Sequence, residues 1–263
     1  MTAPTETPQH ILTEVVDEHI LVVTMNRPEA RNAFNADMSA QMQAAMDRYA
    51  DDPSLWVCII RGEGPTFSAG MDLKAAAKGD FGKMPARGGF GILFDPPQKP
   101  LIAAVDGSAF AGGFEIALSC DLIVAADNST FGLPETKWSL IAIGGGVLRL
   151  PQRLPYHIAM EMILTARPKP VQELAPYGLV NRVVAPGQCY AAALDLARLI
   201  LANAPLAVQG SKRIVHRSIA EQWPFAQGLT EQRAEMKQVA ASADYRQGVT
   251  SFAEKRASVW TGS

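Results

Sequence analysis

The sequence predicts an α/β fold: short apolar strands joined by helices, followed by a helical C-terminal section. Three observations carry this. The runs at 56–60, Leu101–Val105 and Leu122–Ala126 are apolar at successive positions, as strands covered on both faces are. The segments between them hold glycine turns or helical spacing, so right-handed crossovers are the natural connection. Beyond Gly144-Gly145-Gly146 the apolar residues recur at helical period almost to the end.

Taken in order, Ile11–Val16 and Ile20–Met25 are β-branched and apolar, and Asp17-Glu18-His19 between them makes a hairpin turn. Asn26-Arg27-Pro28 ends the hairpin. Met38, Met42, Ala45, Met46 and Tyr49 mark a helix over 37–49, closed by Pro53. The strand over 56–60 runs through the Gly62-Glu63-Gly64-Pro65 turn into Phe67-Ser68-Ala69-Gly70-Met71-Asp72-Leu73. Residues 78–97 lose any steady period, which predicts a mobile segment with one short helix near 90–94. Loops of that length are often functional lids. After Leu101–Val105, Asp106-Gly107 turns and Gly112-Gly113 opens a helix to about Cys120. Further helices are expected over 158–164, 171–177, 188–202, 206–220, 225–241 and 244–252, with a late strand over 180–184. Pro155, Pro168, Pro170, Pro186, Pro205 and Pro224 punctuate the joins.

The chain has 263 residues, 48% of them hydrophobic, enough for one large core with an attached helical section. A net charge of −2 argues against nucleic acid or an anionic membrane as the main partner. The basic pairs Lys212-Arg213 and Lys255-Arg256 read as solvated helix faces. The first ten residues lack the basic start and apolar centre of a signal peptide. No apolar run approaches the roughly 18–20 residues of a membrane span. A soluble, cytoplasmic protein is therefore expected. Cys58, Cys120 and Cys189 are odd in number and form no C-x-x-C, so they read as small core residues rather than a disulfide frame or zinc site. The four scattered histidines predict no metal centre.

Two glutamates interrupt apolar sequence beside backbone punctuation: Glu115 in Ala111-Gly112-Gly113-Phe114-Glu115, and Glu135 in Phe131-Gly132-Leu133-Pro134-Glu135. Burying a carboxylate is costly without partners or a task. A helix starting at Gly112-Gly113 offers free N–H groups and a positive dipole end to an anion. The chain has neither a Walker loop nor a G-x-G-x-x-G dinucleotide motif, which leaves an oxyanion formed on a carbonyl. The Met71 and Gly112 amides make a reasonable donor pair. The same glycines would equally serve a tight strand-to-helix packing turn, and Glu135 would equally suit an exposed helix start. Ser68 lacks the G-x-S-x-G frame of a nucleophile.

Asn26-Arg27-Pro28, Phe67 to Leu73, Lys99-Pro100-Leu101-Ile102-Ala103-Ala104-Val105-Asp106-Gly107, Ala111 to Glu115, Ser119-Cys120-Asp121-Leu122 and Phe131 to Glu135 together resemble the enoyl-CoA hydratase/isomerase (crotonase) family. The likeness runs from about Ile11 to Phe252-Ala253-Glu254-Lys255-Arg256. It implies a spiral of ββα units over 1–195 that binds acyl-CoA, and a helical trimerisation region over 196–263. Homotrimers or dimers of trimers are implied as well. The substrate implied is an acyl-CoA thioester, with CoA part of the substrate and no cofactor or metal. By motif position the oxyanion donors fall on the Met71 and Gly112 amides, and the acid/base pair on Glu115 and Glu135. Segments near Arg31 and over Ala69, Met71, Asp72 and Leu73 match those lining the CoA groove.

Glutamate at both positions favours a hydratase, which adds water across the 2,3 double bond of a 2-enoyl thioester. An enoyl-CoA isomerase and a non-catalytic acyl-CoA-binding protein are the alternatives. Met71 stands where a smaller residue is frequent in the family, and Phe114 adds bulk beside Glu115. Trp138, Ile141 and the segment 81–94 are expected near the acyl end. Gly144-Gly145-Gly146 would permit either a close approach or tight packing.

Overall fold

The computed structural model describes residues 8–80 and 82–263. Phe81 and residues 1–7, which carry part of the expected acyl segment and of the Thr/Pro-rich start, lie outside the described residues. The hairpin β1 (Ile11–Val16) and β2 (Ile20–Met25) leads into α1 (Ala36–Asp51), whose buried residues are those the spacing marked. Three ββα turns follow: β3 (Val57–Gly62), β4 (Thr66–Ser68) and α2 (Leu73–Ala76); then β5 (Leu101–Val105), β6 (Ser108–Phe110) and α3 (Gly112–Ser119); then β7 (Leu122–Ala126), β8 (Thr130–Gly132) and α4 (Gly146–Arg153). In each turn the first strand enters one sheet and the second another. The sheets run β1-β2-β3-β5-β7-β10 and β4-β6-β8-β9, where β9 is Lys169–Pro170 and β10 is Arg182–Val184. This is the spiral of ββα units that the family resemblance implies.

The larger sheet is parallel from β2 through β10. Its apolar residues alternate between two cores, as the period-2 geometry of a strand requires. Leu21, Val23, Cys58, Ile60, Leu101, Ala103, Ile123 and Ala125 face the inner core with α1 and α3. Ile20, Val22, Val57, Ile59, Ile102, Ala104, Val124 and Ala126 face α7 (Cys189–Leu201), through its Cys189, Ala193 and Ala197. The small residues let the helix sit close to the sheet. All three cysteines are buried and free.

The second sheet left almost no trace in the sequence. Its strands are three residues or shorter, too brief for any period to register. Their function is positional. Ser68 pairs with Ala109, and Phe110 with Gly132, all in parallel. The carboxyl ends of β4, β6 and β8 therefore lie side by side, and the three loops that leave them converge. Ligand sites in parallel sheets form at such ends.

The remaining helices, α5 (Tyr156–Thr165), α6 (Val171–Leu174), α8 (Pro205–Ala220), α9 (Phe225–Ala240) and α10 (Ala243–Ala253), form the helical C-terminal section. Among the described residues no single helix is long and apolar enough to cross a membrane. The buried ammonium of Lys212 ties α8 to the spiral. It donates to the carbonyls of Pro97 and Lys99 at 2.9 and 2.8 Å and to Asp121 Oδ2 at 2.7 Å. The same Oδ2 accepts the Leu101 amide at 2.7 Å, and His216 Nε2 lies 3.1 Å from Oδ1. Burial pushes the Asp121 carboxyl up, but the His216 hydrogen bond, the Lys212 charge and hydrogen bond and the Leu101 amide together hold it below the usual carboxylate range.

Removing one partner of a buried, hydrogen-bonded ion pair strands the other, at about 3–5 kcal/mol. Lys212→Met and Asp121→Ala should each lower unfolding stability by that order, measured as the urea midpoint. Their double variant should lose less than the sum.

Candidate active site

The local backbone around Gly70, Gly112 and Gly113 is packed to contact. A Cβ on Gly70 would lie 2.8 Å from the Gly112 nitrogen. One on Gly113 would collide with the Ser68 carbonyl, and one on Gly112 with the Phe90 ring. Only glycine lets the start of α3 approach the end of β4 this closely. Ala111, just before the helix, has φ 51° and ψ −130°, a strained backbone held by the Ala111 N–H to Gly132 carbonyl bond of 2.9 Å.

The segment leaving β4 is fixed from the other side. Buried Asn32 donates to the carbonyls of Glu63 and Thr66 and accepts the Arg27 amide. Ser68 Oγ donates to the Asn32 carbonyl at 2.8 Å and accepts the Gly70 amide at 3.1 Å, a structural role. Phe34 then forms a parallel bridge with Met71, using the Gly70 carbonyl and the Asp72 amide. Among the described residues neither the Met71 N–H nor the Gly112 N–H has an acceptor. Both sit at the wall of one cavity of about 390 Å³.

Glu115 and Glu135 line that same cavity. Glu115, on the first turn of α3, is 4% exposed, and its Oε1 accepts the Gly146 amide at 2.8 Å. Burial pushes its carboxyl up, while the amides of Gly146 and Gly144 and the Arg149 charge oppose that. The glycine triplet is therefore a close approach: a Cβ on Gly144 would collide with Glu115 Oε2, and one on Gly146 would lie 3.0 Å from Oε1. Glu135 stands on a 3-10 helix, Pro134–Trp138, rather than an exposed α-helix start. Its Oε2 is buried without a hydrogen-bond partner. Burial, together with the nearby Glu115 charge, pushes the Glu135 carboxyl up to about 7.

The rest of the lining is apolar. Leu93, Phe90, Phe94 and Met84 come from the 82–94 segment, which contains the short 3-10 helix Gly89–Gly91. Trp138, Leu140, Ile141 and Ile143 come from the opposite side. Ala69, Met71 and Leu73 also reach the cavity, whereas Arg31 and Asp72 do not line it. The Arg31 carbonyl accepts the Ala69 amide at 3.0 Å, and Asp72 caps α2 while pairing with Arg27. Phe114 is fully buried in the core, away from the lining. No signal in the sequence points to Asn32. Arg149 was visible only as a lone basic residue beyond the glycine triplet.

The enoyl-CoA hydratase/isomerase family model matches residues 16–263. A carnitinyl-CoA dehydratase from Salmonella typhi is 44% identical over 256 residues, covering 92% of this chain and 95% of the relative. The crystal structure of an enoyl-CoA hydratase from Mycobacterium tuberculosis H37Rv superposes with a TM-score of 0.93 at 46% identity, covering 97% of this chain and all of that one. An enoyl-CoA hydratase from Mycobacterium marinum gives 0.92 at 45%, with the same coverage.

The raised Glu135 carboxyl has a consequence for stability. Folding favours its protonated form, so its contribution is full below its ordinary value of 4.5 and is lost as pH rises through about 7. Glutamine is neutral throughout. The Tm of Glu135→Gln should therefore gain on the wild type as pH rises from about 5 to about 8. A Tm difference that stays flat across that window would contradict the burial argument.

Proposed function

The chain belongs to the enoyl-CoA hydratase/isomerase family, and from that premise we propose that it is an enoyl-CoA hydratase. In this reading water adds across the 2,3 double bond of a 2-enoyl-CoA. The observation that carries it is the pair of carboxyls with unlike surroundings on one cavity, facing two unpaired amides.

Attack of water at C3 moves negative charge onto the thioester oxygen. The Met71 and Gly112 amides, the second at a helix N-terminus, stabilise that charge; one such donor is worth roughly 3–4 kcal/mol. Burial raises the Glu115 carboxyl as well, but the Gly146 and Gly144 amides and the Arg149 charge oppose that rise, so in this reading Glu115 is the base that takes the water proton. Glu135, with a bare oxygen and a raised carboxyl, is the acid that delivers a proton to C2. Environments that push two carboxyls apart assign acid and base in this way. Read backwards, the same groups dehydrate a 3-hydroxyacyl thioester.

The lining supports an uncharged, apolar acyl group. The two glutamates are the only charged side chains on the cavity among the described residues, and the reaction uses both. Dehydration of carnitinyl-CoA, the activity in the name of a 44% identical relative, is the second reading. It would rest on aromatic rings such as Trp138 and Phe94 holding a quaternary ammonium. Arg31, Ala69, Met71, Asp72, Leu73 and Gly112 form the CoA groove in this proposal. Residues 196–263 are the oligomerisation region of a trimer or dimer of trimers. In support, α9 has no buried residue in the single chain, and Phe225 and Phe252 are over four-fifths exposed.

Hydration of crotonyl-CoA, followed by loss of enoyl-thioester absorbance, tests the reaction. Glu115→Gln and Glu135→Gln should each lower kcat by ~10²–10⁴ while leaving CoA binding nearly intact. Turnover of 3-enoyl substrates that survives Glu135→Gln would favour an isomerase. Acyl-CoA binding without turnover at any chain length would favour a binding protein.

The acyl reading has its own test. Each added methylene is worth ~0.8 kcal/mol of burial, or roughly fourfold in kcat/KM until the cavity is full. A flat series, or preference for a quaternary-ammonium acyl group, would overturn it.

A further inference from the structure

Arg149, on α4, sits behind the site rather than in it. Its half-buried guanidinium forks between two segments. Nη1 donates to the Gly144 carbonyl at 2.9 Å, and Nη2 to the Leu93 carbonyl at 2.7 Å. Among the described residues it makes no ion pair. The turn it grips is shaped to receive it: Gly145 has φ 101°, and a Cβ there would collide with Nη1.

The two gripped carbonyls belong to the two parts that complete the site. Gly144 begins the triplet whose Gly146 amide binds Glu115, and its own packing against that carboxylate leaves no room for a side chain. Leu93 belongs to the 82–94 wall, whose Phe90 ring presses on Gly112. One planar cation thus couples the amide shell of the carboxylate to the wall above the Gly112 N–H. Lysine, a point donor on a flexible stem, cannot hold both carbonyls in a fixed plane.

We propose that Arg149 is a positioning residue for the reaction: its guanidinium locks the Gly144–Gly146 turn onto Glu115 and the Leu93 segment over Gly112. This deepens the hydratase reading and rests on it. The groups facing Glu115 are few. Arg149 comes from α4 and Glu135 from the Pro134–Trp138 helix; Arg153, also on α4, donates to the Cys120 carbonyl and acts on Arg149 rather than on Glu115, while β4, β5 and β6, which also pack on α3, contain no charged residue. Removing the Arg149 charge therefore leaves nothing nearby to replace its pull on the Glu115 carboxylate.

The test compares Arg149→Gln, which removes the charge and the fork, with Arg149→Lys, which keeps the charge alone. A loosened site commonly costs ~10²-fold, so kcat for Arg149→Gln should fall by that order, with KM changing far less. The limb of the pH–kcat profile that reports Glu115 should move to higher pH in Arg149→Gln and return towards the wild-type position in Arg149→Lys. Carboxyl ¹³C NMR, with the Glu115 signal assigned by its loss in Glu115→Gln, reads the same shift without any turnover. A wild-type enzyme inactive on every enoyl-CoA would sink the hydratase reading, while the NMR shift would still report the clamp. Active, folded variants with an unmoved Glu115 titration, or equal losses for lysine and glutamine, would overturn the positioning role. If Arg149→Gln does not fold, Gly145→Ala presses a methyl group into the guanidinium and should shift the same limb.

Discussion

Backbone contact between the end of β4 and the start of α3 is the constraint on which the site depends. With glycine at 70 and 113 the two chains touch, and Gly112 and Met71 line the same cavity. A single methyl group at Gly70 or Gly113 would part them, and one at Gly112 would strike the Phe90 ring. Asn32 and Ser68 supply the matching restraint from below by fixing the chain that enters Gly70. Among the described residues the Met71 and Gly112 N–H groups are thus left without an acceptor in a fixed stretch of backbone, the kind of preorganisation on which the proposed role of the two amides relies.

The carboxyls show how one cavity gives two similar groups different character. Glu115 is buried and Glu135 half-buried, and burial pushes both up. Glu115 is compensated by neighbouring amides and a guanidinium, whereas Glu135 Oε2 has no partner and also feels the Glu115 charge. The difference comes from the Gly144-Gly145-Gly146 turn, which reaches only one of them. What the sequence left open between a close approach and tight packing is in fact both, since the close approach is made to a carboxylate.

The larger sheet was legible because β2, β3, β5 and β7 each carry four or five successive apolar residues, and the C-terminal helices because prolines mark their joins. The second sheet was not, because two or three residues cannot display a period, and its pairing is decided by the larger sheet beside it. The glutamates stood out as isolated charges in apolar runs. Arg149 did not, because a lone arginine on a short helix looks like any solvated residue until its two carbonyl acceptors, from distant parts of the chain, are brought to it.

The Lys212 ammonium makes the helical section and the cavity wall mechanically continuous. Its carbonyl acceptor at Pro97 lies three residues beyond Phe94, which lines the cavity, and its acceptor at Lys99 lies two residues before β5. One buried ammonium thereby fastens the C-terminal helix α8 to the backbone beside the cavity wall.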